Sequence, residues 1–492
     1  MTAYVKTPPI PDTEGPLATK ATRAFGWSFL NTIVSRLGTL AIGIVLARLL
    51  GPEAFGTFAV ATVAMLAMLS FNELGVSLAI VRWRDEPGRV APTVNTISVV
   101  SSLILFGTVY LTAPAFAGAM GDPEATNVVR LMSVAIVING VVAGPAAILQ
   151  REFQQGRRMA IDQVNAWLGA GVSLLLALTG MGAISLAIGR IAGSLVAAVI
   201  FVVWSPLPYR FGFNASVARA LLRFGLPLAG ASMIVFAVGY ADQLVTGAML
   251  GSTALGFYVL AFNLSSWPVS IFSQPMRSVA PAAFARLQHD HHRMNQTFGD
   301  ILKLLSAVAL PCCLALAGAS SAIIAFVYGS AWEPAAQVLS FLGIMAAARI
   351  LCELAYDFLV IKGESRWILF LQLGWLAILV PALIVGAHLG GLQGVAISQA
   401  AVAMLVVVPA YCLLLRRVGI ELRRLARQVW LAALGGLLVV ATALLASKEL
   451  ASPFLACLVA GLVCLAVIAG LLAMNKQLLG RVRALRSPAV AA

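Results

Sequence analysis

The 492-residue chain is poor in charge, and in acidic charge above all. Asp, Glu, Lys and Arg make up only 11% of it, with 19 acidic residues against 33 basic ones. Long hydrophilic segments are also missing. Between apolar runs the longest stretch on the Arg-poor side is near Pro114–Ala125, roughly a dozen residues, too few to fold alone. Glycosyltransferases and polysaccharide polymerases of membranes carry acidic catalytic residues on extramembrane loops. Here the first such loop is only the Gly51–Ala54 turn, without an Asp-x-Asp pair. No Gly-x-x-x-x-Gly-Lys-Ser/Thr loop is present to cradle a nucleotide, which argues against ATP hydrolysis and leaves no cofactor implied. The six cysteines (Cys312, Cys313, Cys352, Cys412, Cys457, Cys464) lie in apolar runs without a Cys-x-x-Cys pair and read as packing residues.

What the chain does have is hydrophobicity. Apolar residues make up 61%, and runs of 18 or more follow one another, giving an all-α polytopic membrane protein with about 14 transmembrane helices between residues 27 and 473. Basic residues sort strongly between loops. With a cytoplasmic N-terminus, 27 of the 33 fall in inner segments, from Lys6 and Arg23 through the Arg416–Arg427 cluster to Arg486. The positive-inside rule therefore places both termini in the cytoplasm. The same asymmetry, with attraction to anionic lipids, accounts for the net charge of +14, and no basic soluble domain is available for nucleic acid. Residues 1–20 and 476–492 read as cytoplasmic tails, the first disordered and lacking the basic start of a signal peptide. His289-Asp290-His291-His292 is too compact for tetrahedral metal ligation by itself, and no metal site is expected.

The chain also repeats itself. Leu50-Gly51-Pro52-Glu53-Ala54-Phe55-Gly56 through Ala61 recurs 200 residues later as Leu250-Gly251-Ser252-Thr253-Ala254-Leu255-Gly256 through Ala261, with five of 12 positions identical. Six spans separate the copies, an even number, so the halves are parallel repeats about an axis along the membrane normal. This divides the chain into a first lobe over 21–210, a second over 211–417, and a C-terminal helix pair over 418–475 that looks peripheral and lipid-facing.

At these residues the chain resembles a known family. Leu46-Ala47-Arg48-Leu49-Leu50-Gly51-Pro52-Glu53-Ala54-Phe55-Gly56 is similar to the first-turn signature of bacterial polysaccharide flippases. So are Ala241-Asp242-Gln243-Leu244-Val245-Thr246-Gly247 and Leu255-Gly256-Phe257-Tyr258, and Val279-Ala280-Pro281-Ala282-Ala283-Phe284 resembles the family's ending to span 8. These flippases belong to the multidrug/oligosaccharidyl-lipid/polysaccharide exporter superfamily. The resemblance implies a V-shaped pair of six-helix lobes. It also implies export of undecaprenyl-pyrophosphate-linked oligosaccharide by alternating access, for exopolysaccharide or O-antigen synthesis, across the bacterial inner membrane. Lipid-linked oligosaccharide and membrane lipids are then the partners, with polymerase and export machinery as further ones, and the chain acts as a monomer and not as an enzyme.

Polar residues inside spans are costly unless they face a cavity or a partner. On span 1, Ser28, Asn31, Thr32, Ser35 and Thr39 share one helical face with Arg36 at its edge, which suits an aqueous wall or helix–helix hydrogen bonding. On span 10, Arg349, Glu353 and Asp357 stack at four-residue spacing, either as a self-neutralising pair or as a proton or sodium site. Asp242 stands where the first half has Ile42, and Arg36 where the second half has Phe236. Asp242 and, more weakly, Glu73 are candidates for ion coupling or gating. Arg277, beside Gln274, is a candidate for a diphosphate, since a diphosphate takes several cationic donors and arginine's planar fork fits its oxygens. The alternative reading for Arg277 is an anchor at the helix end. Arg48 and Glu53 sit at the rim as interface or gate residues. The expected substrate cavity is thus Asn31, Ser35, Arg36, Gln274, Arg277 and Arg349, and the expected coupling set Glu73, Asp242, Glu353 and Asp357. A multidrug exporter of the same superfamily is the first rival, and a polysaccharide polymerase or glycosyltransferase the second.

Overall fold

The computed structural model describes residues 14–72, 80, 87–152, 154–273, 277, 280, 284, 287 and 290–476. Within these, side chains are described except at 14–37, 39, 40, 71, 72, 224, 227, 228, 231, 232, 235 and 291. Every regular element among the described residues is helical, as hydrocarbon demands of backbone that must satisfy its own hydrogen bonds. The first half holds α1 (Glu14–Asn72), α2 (Pro87–Ala119), α3 (Ala125–Arg151), α4 (Gln155–Leu178) and α5 (Ala183–Trp204). The second holds α6 (Ala215–Pro268), α7 (His291–Gly318), α8 (Ser320–Val327), α9 (Glu333–Ile361), α10 (Ser365–Val402) and α11 (Val408–Arg417). The C-terminal pair is α12 (Leu422–Glu449) and α13 (Pro453–Met474). Helix α1 starts at Glu14, inside the segment expected as a tail.

Eleven helices among the described residues are long and apolar enough to cross a membrane. Three of them are doubled. Helix α1 breaks at Gly51 (φ 72°, ψ 177°), α6 at Gly251 (φ 84°, ψ 176°) and α10 at Gly390–Gly391, each break dividing two of the expected spans. The breaks at Gly51 and Gly251 have the same backbone angles, in a region essentially closed to residues with a Cβ. The 200-residue echo is therefore an echo of conformation, down to one pair of dihedrals.

Packing follows the repeat. Among the buried described residues, the largest core cluster draws on 241–471 with Ala47 from the first half, and the second draws on 59–187 with Leu255 from the second half. The result is two helical bundles that meet where the copies of the turn lie. A Cβ on Gly256 would stand 2.8 Å from the Pro52 carbonyl oxygen and 3.0 Å from the backbone of Gly56, while one on Gly56 would strike the Ser252 carbonyl. Gly121, in the turn between α2 and α3, lies against Gly251 as well. Backbone touches backbone across the pseudo-symmetry axis.

The C-terminal pair is bound to the second bundle more closely than a lipid-facing pair need be. Gly318 of α7 lies against Val440 and Ala443, and Gly436 of α12 against Leu314. The far faces, including Leu437, Leu438, Leu462 and Leu465, are exposed as lipid contact requires. Asp290, from the His–Asp–His–His stretch, caps α7 by accepting from the Arg293 amide at 3.0 Å; His289 lies outside the described residues.

Substituting Gly256→Ala or Gly56→Ala pushes two rigid backbones apart and is expected to cost about 1–3 kcal/mol. Gly43→Ala, with open space around its Cβ, is expected to be neutral. Thermal midpoints of the solubilised protein check this; equal midpoints for Gly256→Ala and Gly43→Ala contradict it.

Candidate functional site

A charged track runs along α9, where the four-residue spacing stacks Arg349, Glu353 and Asp357. Arg349 Nε donates to Glu353 Oε1 at 3.0 Å on its own helix. Arg277, 80 residues upstream, points its fork at Asp357, with Nε to Oδ2 at 3.0 Å and Nη2 to Oδ1 at 3.2 Å. Its Nη1 also comes within 4.0 Å of Glu353. Ser273 closes the set by donating to Glu353 Oε2. Ser273 ends a π-helical turn, Val269–Ser273, which follows α6. Such turns re-aim side chains and recur at functional positions. Two cations face two anions, so the group is neutral as it stands. Asp357 is buried, whereas Arg277 and Arg349 remain 41% and 40% exposed. Half-exposed guanidinium at span depth requires a polar opening rather than hydrocarbon.

The expectation of a pair within α9 is met at Arg349–Glu353. Arg277, read from the sequence as a candidate for a diphosphate or as an anchor at the helix end, has its fork on the Asp357 carboxylate.

Asp242 is deeper. It is fully buried and, among the described residues, hydrogen-bonded but not ion-paired. Tyr258 Oη donates to Oδ2 at 2.7 Å and Gln399 Nε2 to the same oxygen at 3.5 Å, while the Gln243 amide donates to Oδ1 at 2.8 Å. Tyr258 is 16 residues on, beyond the Gly251 break, and Gln399 comes from the second half of α10. The carboxylate thus ties three expected spans together. Gln399 Oε1 is buried beside it with no partner among the described residues. Tyr240 and Arg349 lie close enough to interact electrostatically with this group, joining it to the charged track.

The face carrying the glycine breaks is shut. Arg48 Nε donates to the Val327 carbonyl at 2.7 Å and its Nη2 to that of Phe326, covering the unsatisfied C-terminal carbonyls of α8 across the bundle boundary. Trp332 is buried there, and its indole nitrogen donates to the Ala47 carbonyl at 3.2 Å. Phe55 and Phe257, one from each bundle, meet the same indole edge-on with centroids 5.5 and 5.8 Å away. The rim assignment of Arg48 is thereby placed in a closed interface.

Arg277, Arg349, Glu353 and Asp357 are brought together, with Asp242 adjoining. Glu73 and Gln274 lie outside the described residues, as do the side chains of Asn31, Ser35 and Arg36, whose backbone is in α1. Sequence reasoning passed over Ser273, Tyr258 and Gln399. Tyr258 was visible, within Leu255-Gly256-Phe257-Tyr258, but only the fold shows it facing Asp242. Phe236, opposite Arg36 in the repeat, stacks on Tyr240 at 4.8 Å.

Two parallel helical bundles, a backbone junction at one face and a charged track between spans define a multi-pass membrane protein of the exporter type with two repeated lobes. The pattern that defines the polysaccharide biosynthesis protein family matches residues 45–337, and the chain belongs to that family. It is 22% identical over 409 residues to the lipopolysaccharide biosynthesis protein WzxC of Escherichia coli K12, covering 82% of this chain and 83% of that one. It is 26% identical over 355 residues to the succinoglycan biosynthesis transport protein ExoT of Rhizobium meliloti, covering 71% and 70%. In fold it is similar to the lipid II flippase MurJ in an inward closed conformation, with a TM-score of 0.72 over 91% of this chain and 99% of that one at 13% identity.

Removing one partner of the fork exposes how strongly the track is coupled. Arg277→Gln leaves the buried Asp357 carboxylate unpaired and is expected to lower unfolding free energy by about 1–3 kcal/mol, below the cost of a wholly buried pair because Arg277 is 41% exposed. The double variant Arg277→Gln/Asp357→Asn is expected to lose less than the sum of the two singles. A double-mutant cycle on denaturation midpoints measures this; strict additivity contradicts the pairing.

Proposed function

We propose that the chain is a flippase that moves a prenyl-diphosphate-linked oligosaccharide from the inner to the outer leaflet of the bacterial inner membrane, with both termini in the cytoplasm. The observation that carries this is the pair of half-exposed arginines, Arg277 and Arg349, set at span depth in a member of a polysaccharide biosynthesis family. A diphosphate needs more than one cationic donor, and two guanidinium groups linked through Glu353 supply them on one side. Arg36, from the other lobe, completes the grip. The substrate anion takes the place of carboxylate oxygens on the arginines, so Asp357 and Glu353 hold the site neutral when it is empty. The prenyl tail stays in lipid while the sugars occupy the space between the lobes, with Asn31, Ser35 and Gln274 as polar wall. The glycan then continues to polymerase and export machinery. The chain carries out no covalent chemistry.

The closed junction at Gly56, Gly256 and Trp332 is the outer gate in this orientation, and alternating access consists of parting it while the opposite face closes. Asp242 is the coupling group: a buried carboxylate beside Gln399 Oε1, an acceptor with no partner among the described residues, offers a place for a proton or a sodium ion. Glu73, Glu353 and Asp357 serve with it. Occupancy there alters the hold of α6 on the second half of α10.

Charge reversal at Arg277 or Arg36 (Arg277→Glu, Arg36→Glu) is expected to abolish polysaccharide export at unchanged protein level in the membrane. Surface polysaccharide and immunoblots read this, and normal export from both variants contradicts the proposal. Asp242→Asn is expected to leave transport down a substrate gradient but to remove its response to an imposed ion gradient. A full response in Asp242→Asn vesicles would assign coupling to another group.

A further inference from the structure

One cation on the first bundle is left over. Arg190 lies on α5, seven residues or about 10 Å in from Ala183 at the face that carries the glycine breaks. Among the described residues it has no hydrogen-bond or ion-pair partner, and no charged group acts on it. At 100° per residue, the buried Leu186, Ala187, Ala197 and Phe201 stand within about 60° of it around the helix. The exposed Leu195, Val199 and Val203 stand about 140–180° away, and they form the lipid stripe. An arginine reaching along the helix to headgroups would belong to that stripe; Arg190 belongs to the opposite one.

Its neighbours on the inward stripe lead into the bundle. Leu186 packs with Leu46 of α1, Ala187 with the core of α1 to α3, and Ala197 and Phe201 with Leu149 and Ile161. Yet Arg190 is exposed, although Leu186, Ala187, Ala197 and Phe201 around it on that stripe are buried. A long side chain on an inward stripe keeps its surface only where the packing beside it leaves an opening, and we place the guanidinium of Arg190 at such a recess. Arg349 lies about 24 Å in from Glu333, which starts at the same face, so Arg190 is about 14 Å nearer that face than the charged track. Among the described residues no carboxylate pairs with it as Asp357 and Glu353 pair with Arg277. A cation kept unpaired in such a place has its fork free for a ligand.

We propose that Arg190 is a second anion-binding residue, receiving a carboxylate or phosphate oxyanion of the substrate nearer the outer leaflet. This rests on the lipid-linked oligosaccharide reading above. Two sources supply that chemistry: an acidic sugar of the oligosaccharide, reaching ahead of a diphosphate held at Arg277, or the diphosphate itself later in transit. In both cases Arg190 is a binding residue on the lobe opposite the charged track, and in the first it also selects for acidic sugars.

The test uses the full chain in nanodiscs and two probes, a prenyl diphosphate carrying a neutral disaccharide and one in which a hexose is replaced by a hexuronic acid. Arg190→Gln is expected to weaken binding about tenfold, the size of one charge-assisted hydrogen bond, with partial recovery in Arg190→Lys. Loss confined to the hexuronic probe assigns the site to a sugar carboxylate; equal loss on both assigns it to the diphosphate. Unchanged affinity for both overturns the proposal. Wild-type protein that binds neither probe overturns the lipid-linked reading instead. Arg190→Cys gives an independent measure. It is expected to react with a water-soluble charged thiosulfonate faster than the six native cysteines of the wild type, and a bound probe is expected to slow it. No labelling above wild type removes the recess and the proposal with it.

Discussion

Gly56 and Gly256 meet backbone to backbone, and the placement of the two bundles follows from that contact. Two turns related by the repeat approach until only hydrogen fits between them. This fixes the bundles to each other at one face. The aromatic plug of Phe55, Phe257 and Trp332 and the Arg48 contact to α8 are arranged around that point. A junction built of backbone rather than long side chains has few intermediate arrangements: the turns are either in contact or apart. That suits a gate with two states.

Charge inside the spans obeys a second rule. Each cation that the fold brings to the track meets a carboxylate: Arg349 meets Glu353, and Arg277 meets Asp357 with Glu353 nearby. Neutrality keeps the empty site tolerable in a low-dielectric surrounding, and half-exposed guanidinium keeps it accessible. Asp242 is handled differently, by a phenol, an amide and a backbone donor from separate spans, and Arg190 has no compensating group among the described residues. The three treatments differ: ion pairs neutralised within the track, a buried carboxylate held by hydrogen bonds from several spans, and a cation without a partner among the described residues.

Much of this was legible in the sequence, because much of it is periodic. Hydropathy marks the spans, basic residues sort the loops, and the recurrence of Leu-Gly at 50 and 250 marks the breaks, since φ near 70–85° with extended ψ admits only glycine. The Arg349–Glu353 pair follows from helical spacing alone. What stayed hidden is what spans share with one another. Arg277 and Asp357 are 80 residues apart, and Asp242 and Gln399 are 157 apart; no periodicity links them. The π turn that aims Ser273 has no signature in its composition. Arg190 escaped for a simpler reason: counting basic residues by loop sets aside those inside spans. Its phase on α5, opposite Leu195, Val199 and Val203, was available and would have singled it out.

Passage of lipid-linked oligosaccharide between these two bundles, with the arginines of the track holding it as proposed above, is open to direct assay. The most direct measurement is its translocation in vesicles holding only this purified chain, read as the time course with which a lectin added outside gains access to the sugar. Movement well above protein-free vesicles is expected in the wild type, and the protein-free rate in Arg277→Glu. Folded wild-type protein that moves the lipid no faster than empty vesicles would contradict it.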